Sequence, residues 1–363
     1  MAQVIVITGG PCAGKTTIMA NQAENLINRG FWPLICPESA TLLYGTGLRP
    51  DNKEFQCAIF ATQRHMETML ATAAKHVQNP VILCDRGLLD SLAYVDRHVL
   101  DDLARPATLE YMRDSRYKAV IHLETAAKDA EEYYTLINNQ ARTETLHQAR
   151  LLDDRLIKAW NGHPKHIVIA NKGLSFDQKK DAALDAVLSV LGYPVPIEDE
   201  ERYLIDPFFK PSDITEHCVA TTIVQDYLVS SIEMTERVRA RGNRNSAVYF
   251  HTIKRPIAGT TACIEEEEII TKKEYMAFLR RRDPDCRTIR KTRYTFHSNG
   301  LYFELDLFTS PVGIQILEVE KTRKNTSVSI PACIEPFVLK NITGMSEYSN
   351  ASLARHFSEV ENM

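Results

Sequence analysis

A short stretch near the start of the chain has the residue pattern of a phosphate-binding loop. The pattern GxxxxGK[ST] is filled by Gly9, Gly10, Pro11, Cys12, Ala13, Gly14, Lys15 and Thr16, and Thr17 follows. The glycines let backbone amides curl around phosphate oxygens, and the next helix points its positive end at the same anion. We expect Lys15 to reach the β- and γ-phosphates and Thr16 to bind Mg²⁺. The flanking apolar strand and helix disfavour a chance match.

Three further polar residues follow predicted strands. Asp85 and Arg86 come directly after the run Val81–Cys84, where a parallel strand faces a ligand crevice. Asp85 is predicted to hold Mg²⁺ or to accept a proton, and Arg86 to contact a transferring phosphoryl group. The alternative is a turn-capping aspartate beside a surface arginine. Glu38 is predicted to bind an acceptor or, alternatively, to cap a helix.

Two residues later in the chain are less specific candidates. Arg142 lies in a polar stretch and is interpreted either as part of a lid that reaches the phosphates or as one residue of a solvated helix face. Asn171 and Lys172 match the first two residues of the NKxD motif of guanine-specific GTPases. Gly173 and Leu174 follow, so the carboxylate that would bind guanine is absent. Asn171 is kept as a nucleotide-binding candidate, with ATP and GTP both open.

The elements that position these residues alternate between short apolar runs and longer amphipathic stretches. The runs are Val4–Ile7, Pro33–Cys36, Val81–Cys84, Ala119–Leu123 and Ile167–Ala170, and a helix is predicted over Phe176–Leu191. This rhythm predicts an α/β domain with a parallel sheet. Two prolines at 194 and 196 then interrupt the pattern, so we predict domains at 1–193 and 194–363.

The second half is predicted to be antiparallel β-structure. Its strand candidates are Glu198–Ile205, Thr221–Val229, Thr235–Arg241, Val248–Lys254, Cys263–Ile270, Thr288–Phe296, Leu301–Phe308 and Ile314–Glu320. Several alternate charged and apolar residues with a period of two, which gives one charged face per strand. That face meets water in an ordinary strand, or points inward in a closed barrel.

In the barrel interpretation the inward charges form two sets. The predicted phosphate-binding cations are Arg202, Arg237, Arg239, Lys254, Lys291 and Arg293. The predicted metal-binding carboxylates are Glu198, Glu200, Glu265, Glu267, Asp306, Glu318 and Glu320. Burying so many charges is costly unless they pair with each other or with a metal-bound polyphosphate. Such pairing is expected to lower the carboxylate pKa values and to raise those of the lysines.

Composition excludes several classes of protein. The 363 residues are 44% hydrophobic and 25% charged, unlike a disordered or collagenous chain. The formal net charge of -4 gives no global field for nucleic acid or acidic lipid, so nucleic-acid binding is not expected. Neither a transmembrane segment nor a signal peptide is expected. Eight scattered cysteines indicate reduced thiols and a cytoplasmic location.

The first half resembles the P-loop kinase-like family that includes the nicotinamide riboside kinase domain of bacterial NadR proteins. The resemblance rests on GGPCAGKTT, PESA, DRGLLDSLAY, VIHLETAA, RTET and the late Asn171, across most of residues 1–192. It implies Mg-nucleotide binding and phosphoryl transfer to a small acceptor whose identity stays open.

The second half resembles the CYTH domain, the triphosphate tunnel fold, over about residues 197–355. The similar motifs include ExExR at 198–202, KTRY at 291–294, ELDLF at 304–308 and EVE at 318–320. This family usually has ExExK, whereas this chain has Arg202. Arginine keeps the charge but cannot lose its proton, so this substitution preserves phosphate binding and disfavours hydrolysis. The resemblance implies a triphosphate or polyphosphate ligand with Mg²⁺ or Mn²⁺.

Three functions are compatible with these features. The first is an enzyme, a phosphotransferase or phosphohydrolase that binds Mg-ATP or Mg-GTP in the first half and a triphosphate in the second. The second is a non-catalytic regulator that binds GTP and a phosphoinositide headgroup, with peripheral membrane contact, as in a family of trafficking proteins with the same domain order. The third is a class IV type adenylyl cyclase. The full acidic set favours the enzyme.

Overall fold

The computed structural model describes residues 2–48, 53–134, 144–193, 200–230, 234–242, 247–256, 263–298, 301–320 and 328–360. The chain divides into two compact units, Met1–Tyr193 and Pro194–Met363. No helix in these ranges is long and apolar enough to cross a bilayer.

The first unit is built on a five-stranded parallel sheet. Its strands are β1 (Gln3–Gly9), β2 (Trp32–Cys36), β3 (Pro80–Asp85), β4 (Ala119–Leu123) and β5 (His166–Ile169). They lie in the order β2-β3-β1-β4-β5. The connection from β3 to β4 crosses over β1, so the strand order reverses at the carboxyl end of β1. Ligands of open α/β sheets bind at such a point.

Helices cover both faces of this sheet. They are α1 (Lys15–Ile27), α2 (Ser39–Gly45), α3 (Lys53–Ala73), α4 (Arg97–Ala104), α5 (Leu109–Arg116), α6 (Leu146–Trp160) and α7 (Phe176–Val190). Ile5 and Ile7 of β1 pack in one core with α1 and α7. Val6 points to the other face, where it packs with Phe60 and Trp160. A strand buried on both faces is continuously apolar, as the sequence shows.

The second unit contains a nine-stranded antiparallel sheet. Its strands are β6 (Glu200–Ile205), β7 (Val219–Tyr227), β8 (Thr235–Arg241), β9 (Val248–Pro256), β10 (Cys263–Ile270), β11 (Ile289–Ser298), β12 (Leu301–Ser310), β13 (Val312–Glu320) and β14 (Val338–Asn341). The order is β10-β9-β8-β7-β11-β12-β13-β6-β14. Helices α8 (Lys272–Phe278) and α9 (Asn350–Val360) flank it.

The predicted fold classes are confirmed in both halves: a parallel α/β sheet first, and an antiparallel sheet with flanking helices second. Among the described residues, β10 and β14 are the two edge strands of this sheet, so its closure into a barrel stays a prediction. One face of the second sheet packs an apolar core that includes Phe303, Leu305 and Leu317. The intervening residues of the same strands carry the charges.

Candidate functional site

The loop between β1 and α1 requires glycine at two positions. Gly9 has φ of +147°, and a Cβ there would lie 2.0 Å from the Leu123 carbonyl oxygen. Gly14 has φ of +83°, and its Cβ would lie 2.5 Å from the Phe176 ring. Left-handed backbone and close packing both exclude larger residues. The loop therefore turns tightly and directs the first amides of α1 into the crevice.

Lys15 begins α1 and folds back over the loop. Its Nζ donates to the carbonyl oxygens of Gly9 and Gly10 at 3.1 and 3.2 Å. Burial lowers the pKa of Lys15 to about 8, and repulsion from Arg86 adds to the shift. A bound polyphosphate would supply the negative charge that this buried ammonium lacks.

Glu38, Arg86 and Asp90 form a charged group beside the loop. Arg86 Nε donates to Glu38 Oε1 at 2.7 Å, and its Nη1 lies 3.6 Å from Asp90 Oδ2. Burial opposes ionisation of Glu38, but Arg86 and Lys15 outweigh it and lower its pKa to about 2. Thr8 and Trp160 donate to the two Asp90 oxygens at 2.7 and 2.6 Å. The guanidinium is thus fixed next to the loop.

Asp85 fits a cation. Its Oδ1 is buried and has no hydrogen-bond partner among the described residues. Burial raises the pKa of the Asp85 carboxyl, although Lys15 opposes the shift. A divalent ion would satisfy this orphaned oxygen, and with a single carboxylate its other ligands would be the Thr16 hydroxyl, phosphate oxygens and water, as Mg²⁺ prefers.

One large cavity joins these residues. Its volume is about 1410 Å³, and it is lined by Lys15, Thr16, Glu38, Asp85, Arg86 and Asn171. The lining continues past the loop to Gln63, Tyr94 and Lys179. A cavity of this size has room for a nucleoside triphosphate together with a small acceptor.

The structure places the two less specific candidates differently. Arg142 lies outside the described residues. Asn171 lines the cavity, but its amide is occupied: Nδ2 donates to the Thr125 and Lys128 carbonyl oxygens at 2.7 and 2.8 Å, and Oδ1 accepts from Lys179 Nζ at 2.7 Å. A base contact that uses the Asn171 NH₂ group therefore requires displacing one of its two bonds, whereas Oδ1 can accept a second hydrogen bond.

The low pKa of Lys15 predicts proton uptake on nucleotide binding. With a pKa of about 8, Lys15 is half neutral at pH 8, and bound phosphates favour its charged form. Affinity should fall as pH rises above 8, because the neutral amine no longer attracts phosphate. Titration calorimetry at pH 8 in two buffers of different ionisation enthalpy measures the protons taken up. Lys15→Met should abolish the uptake that depends on this residue, and equal uptake in the variant would contradict the assignment.

In the second unit, the strand register aligns the predicted charges. Directly opposed residues of paired strands share a face. Arg237 opposes Thr252, which opposes Glu267. Arg293 opposes Asp306, and Glu304 opposes Glu318, which opposes Arg202. Residues two apart on one strand point to the same face, so the cations Arg239, Lys254 and Lys291 lie on this face too.

Several of these charges pair with one another. Arg293 binds Asp306 bidentately at 2.7 and 2.6 Å, contacts Glu318 at 2.9 Å and forms a short ion pair with Glu304. Lys291 Nζ lies 2.5 Å from Asp306. Burial opposes ionisation of Asp306, yet Arg293 and Lys291 hold its pKa well below the usual range. Burial lowers the pKa of Lys291, however, so the expected rise is wrong for this lysine.

Strand β8 carries three arginines, Arg237, Arg239 and Arg241, on the same face of the sheet. Arg239 donates to Glu267 Oε2 at 2.7 Å, while its Nε is buried without a hydrogen-bond partner in the described part. Burial lowers the pKa of Arg239, and repulsion from Arg237, Arg241 and Arg293 adds to the shift, against the pull of Glu267. A bound anion would relieve this repulsion.

Some predicted metal ligands of the second unit lie outside the described residues, and others pair with cations of the protein. Glu198 lies outside the described residues, as do the side chains of Glu265 and Glu320. Among residues that are described, no three His, Cys, Asp or Glu side chains are grouped so as to hold a metal ion. Arg202 lies 3.0 Å from Glu318 and 3.7 Å from Glu200, so these carboxylates neutralise protein cations.

Sequence reasoning missed some site residues. Asp90 lies four residues after Arg86 inside the motif DRGLLDSLAY, so the spacing could have indicated it. Glu304 lies two residues before Asp306 on the same strand, so the period of two could have indicated it as well. Asp153 had no such signal: it accepts from the Gly10 amide at 2.8 Å across a separation of 143 residues.

Comparison with known proteins agrees with the geometry of the first unit. Residues 4–178 match the family model described as an AAA domain. The match supports a P-loop NTPase or kinase-like domain. No curated protein matches the chain.

Solved structures with similarity to the chain include two archaeal proteins. A conserved hypothetical protein from Pyrococcus furiosus is 19% identical with a TM-score of 0.27, over 35% of this chain and 81% of that chain. The PH1819 protein from Pyrococcus horikoshii OT3 is 18% identical with a TM-score of 0.28, over 35% and 80%. Likenesses of this size define neither a fold nor an activity for this chain.

Proposed function

We propose that the first unit binds Mg-ATP or Mg-GTP and transfers the γ-phosphoryl group to a small acceptor or to water. The observation that supports this most is the single cavity shared by Lys15, Asp85, Arg86 and Glu38. For nucleotide binding alone, Lys15 and Thr16 of the loop would be enough. The ion pair of Glu38 and Arg86 lies beyond them and adds groups suited to an acceptor.

Each residue has a distinct proposed role. Lys15 neutralises the β- and γ-phosphates, and Thr16 with Asp85 holds Mg²⁺, which supplies charge neutralisation on the phosphates. Arg86 stabilises the charge that builds on the transferring group, because its guanidinium is fixed by Glu38 and Asp90. Positioning and charge neutralisation dominate such reactions.

A nucleotide panel tests this proposal. Purified full-length protein is incubated with ATP, GTP or inorganic triphosphate, with Mg²⁺ or with a chelator, and phosphate release is measured. We expect Mg-dependent turnover of a nucleoside triphosphate that is lost in Asp85→Asn but retained in Asp177→Asn, an exposed aspartate on α7. Binding without turnover of any nucleotide, with or without small acceptors, would favour the regulatory function instead.

We propose that the second unit binds a triphosphate or another multiply phosphorylated anion. The cationic side formed by Arg237, Arg239 and Lys254 supports this, since these residues share one face of the sheet. Hydrolysis there is left open because Arg202 is engaged by Glu318 and by the Tyr348 carbonyl oxygen. The order of the two domains resembles that of the fly TRPL translocation defect protein. This resemblance makes a phosphoinositide headgroup the second candidate ligand.

Arg237→Ala should weaken anion binding by the second unit. Loss of one charge-assisted contact costs about 1.5–3 kcal/mol, which is about tenfold to a hundredfold in affinity. Binding of inorganic triphosphate and of a soluble inositol polyphosphate to the full chain is measured by calorimetry. Arg255→Ala is the matched control, because Arg255 is an exposed residue of the neighbouring strand β9. Equal affinities of Arg237→Ala and wild type would exclude this surface.

A further inference from the structure

Gln63, on the cavity side of α3, connects the two partners of the Glu38–Arg86 ion pair. Its side chain is 2% exposed. Ser39, the neighbour of Glu38, donates its hydroxyl to Gln63 Oε1 at 2.6 Å. Gln63 Nε2 donates to the Arg86 carbonyl oxygen at 3.1 Å. One buried amide thus holds both the segment that carries the carboxylate and the residue that carries the guanidinium.

Glu67 fixes the orientation of this amide. It lies one helical turn after Gln63 and accepts from Gln63 Nε2 at 3.0 Å. Glu67 is held by Arg116, through a short ion pair, and by the Tyr117 hydroxyl at 3.0 Å. Arg116 and the Tyr117 hydroxyl both donate to Glu67, so Glu67 acts as an acceptor and selects the rotamer of Gln63 that presents the NH₂ group. The reversed amide would lose its bonds to Glu67 and to Arg86.

The backbone of Arg86 needs such support. Its φ is +72°, which is uncommon for a residue with a side chain. The Arg86 amide donates to the Ile7 carbonyl oxygen at 3.1 Å, which ties the residue to β1 just before the phosphate-binding loop. The carbonyl oxygen is tied by Gln63. Arg86 is therefore held from both sides in the conformation that aims its guanidinium at Glu38 and Asp90.

We infer that Gln63 is a positioning residue for phosphoryl transfer, acting through Arg86 and Glu38, with Glu67 setting the sense of its amide. This rests on the function proposed for the first unit. Nucleotide binding by the loop itself is not expected to depend on Gln63, because its hydrogen bonds in the described chain go to Ser39, Cys36, Glu67 and Arg86, none of which belongs to residues 9–17. The inference therefore separates turnover from affinity.

A double-mutant cycle tests this inference in the full chain. Gln63→Met keeps the side-chain length and removes the amide. We expect its kcat to fall about tenfold to a hundredfold, as for a misplaced catalytic group, while the Kd of the nucleotide is unchanged. If Gln63 acts through Arg86 and Glu38, then Gln63→Met costs less in the Arg86→Ala background than in the wild type. Gln22→Met is the matched control, since Gln22 is a fully buried glutamine of α1.

The outcomes are distinguishable. Wild-type kcat in Gln63→Met, additive losses in the double variant, or an equal loss of nucleotide affinity would each overturn the inference. If the wild type turns over no nucleotide, the proposed function fails, and the ¹H–¹⁵N signal of the Arg86 Nε–H group decides: a shifted or broadened signal in Gln63→Met supports positioning, and an unchanged one overturns it. Gln63→Asn replaces Gln63→Met if the latter unfolds.

Discussion

Lys15→Ala is expected to lower kcat/KM for the preferred Mg-nucleotide by about tenfold to a hundredfold, the worth of one charge-assisted contact of about 1.5–3 kcal/mol. Lys15 is the first residue of α1, and among the described residues its Nζ donates to the carbonyl oxygens of Gly9 and Gly10. The variant should fold, because the hydrogen bonds of Lys15 Nζ go to two backbone carbonyl oxygens of the loop, although Asp85 and Glu38 lose a nearby positive charge. Phosphate release under subsaturating nucleotide measures the effect.

Lys75→Ala serves as the control for this prediction. Lys75 is exposed and lies in a short helical turn after α3, away from the loop. Its kcat/KM should match that of the wild type. A Lys15→Ala protein that is folded by circular dichroism and equally active would remove Lys15 from the site.

Arg293→Ala should destabilise the second unit by about 3–5 kcal/mol, the usual cost of breaking a buried ion pair on one side. Arg293 contacts three carboxylates, those of Glu304, Asp306 and Glu318. Its removal leaves three carboxylates with two paired cations, Lys291 on Asp306 and Arg202 on Glu318. Urea denaturation followed by circular dichroism should show the loss of the second unit at lower urea concentration.

The chain offers two internal controls for that experiment. Both tryptophans, Trp32 and Trp160, belong to the first unit, so their fluorescence reports on that unit alone. The fluorescence transition should not move in Arg293→Ala. Arg290→Ala changes an exposed arginine on the same strand and should leave both transitions in place. A shift in the fluorescence transition, or an unchanged circular dichroism transition, would contradict the local role of Arg293.

Much of the fold follows from sequence periodicity. The run Val4–Ile7 lies inside β1, and the helix predicted over Phe176–Leu191 appears as Phe176–Val190. Its start is encoded locally, since Ser175 and Gln178 form a capping box. The period of two in β11 and β12 predicted one charged face per strand, and in the register Arg293 lies opposite Asp306. In each case the signal lies within a few consecutive residues.

The rest depends on packing between distant segments. Val338–Asn341 adds a fourteenth strand that the sequence pattern did not indicate, because a four-residue, mostly exposed edge strand has little periodicity. The bonds of Gln63 with Ser39 and with the Arg86 backbone span 24 and 23 residues and bring together two helices and a loop. Asn171 was predicted from a dipeptide, yet its amide packs against Lys179 and the end of β4.

Calorimetric titration of Mg-ATP and Mg-GTP into the wild type, Lys15→Ala and Arg237→Ala is the most direct test of the central claim, that the loop of residues 9–17 is the nucleotide site. We predict that one nucleotide site per chain is lost or strongly weakened in Lys15→Ala and retained in Arg237→Ala. Nucleotide binding that survives in Lys15→Ala and disappears in Arg237→Ala would place the nucleotide in the second unit and contradict the claim.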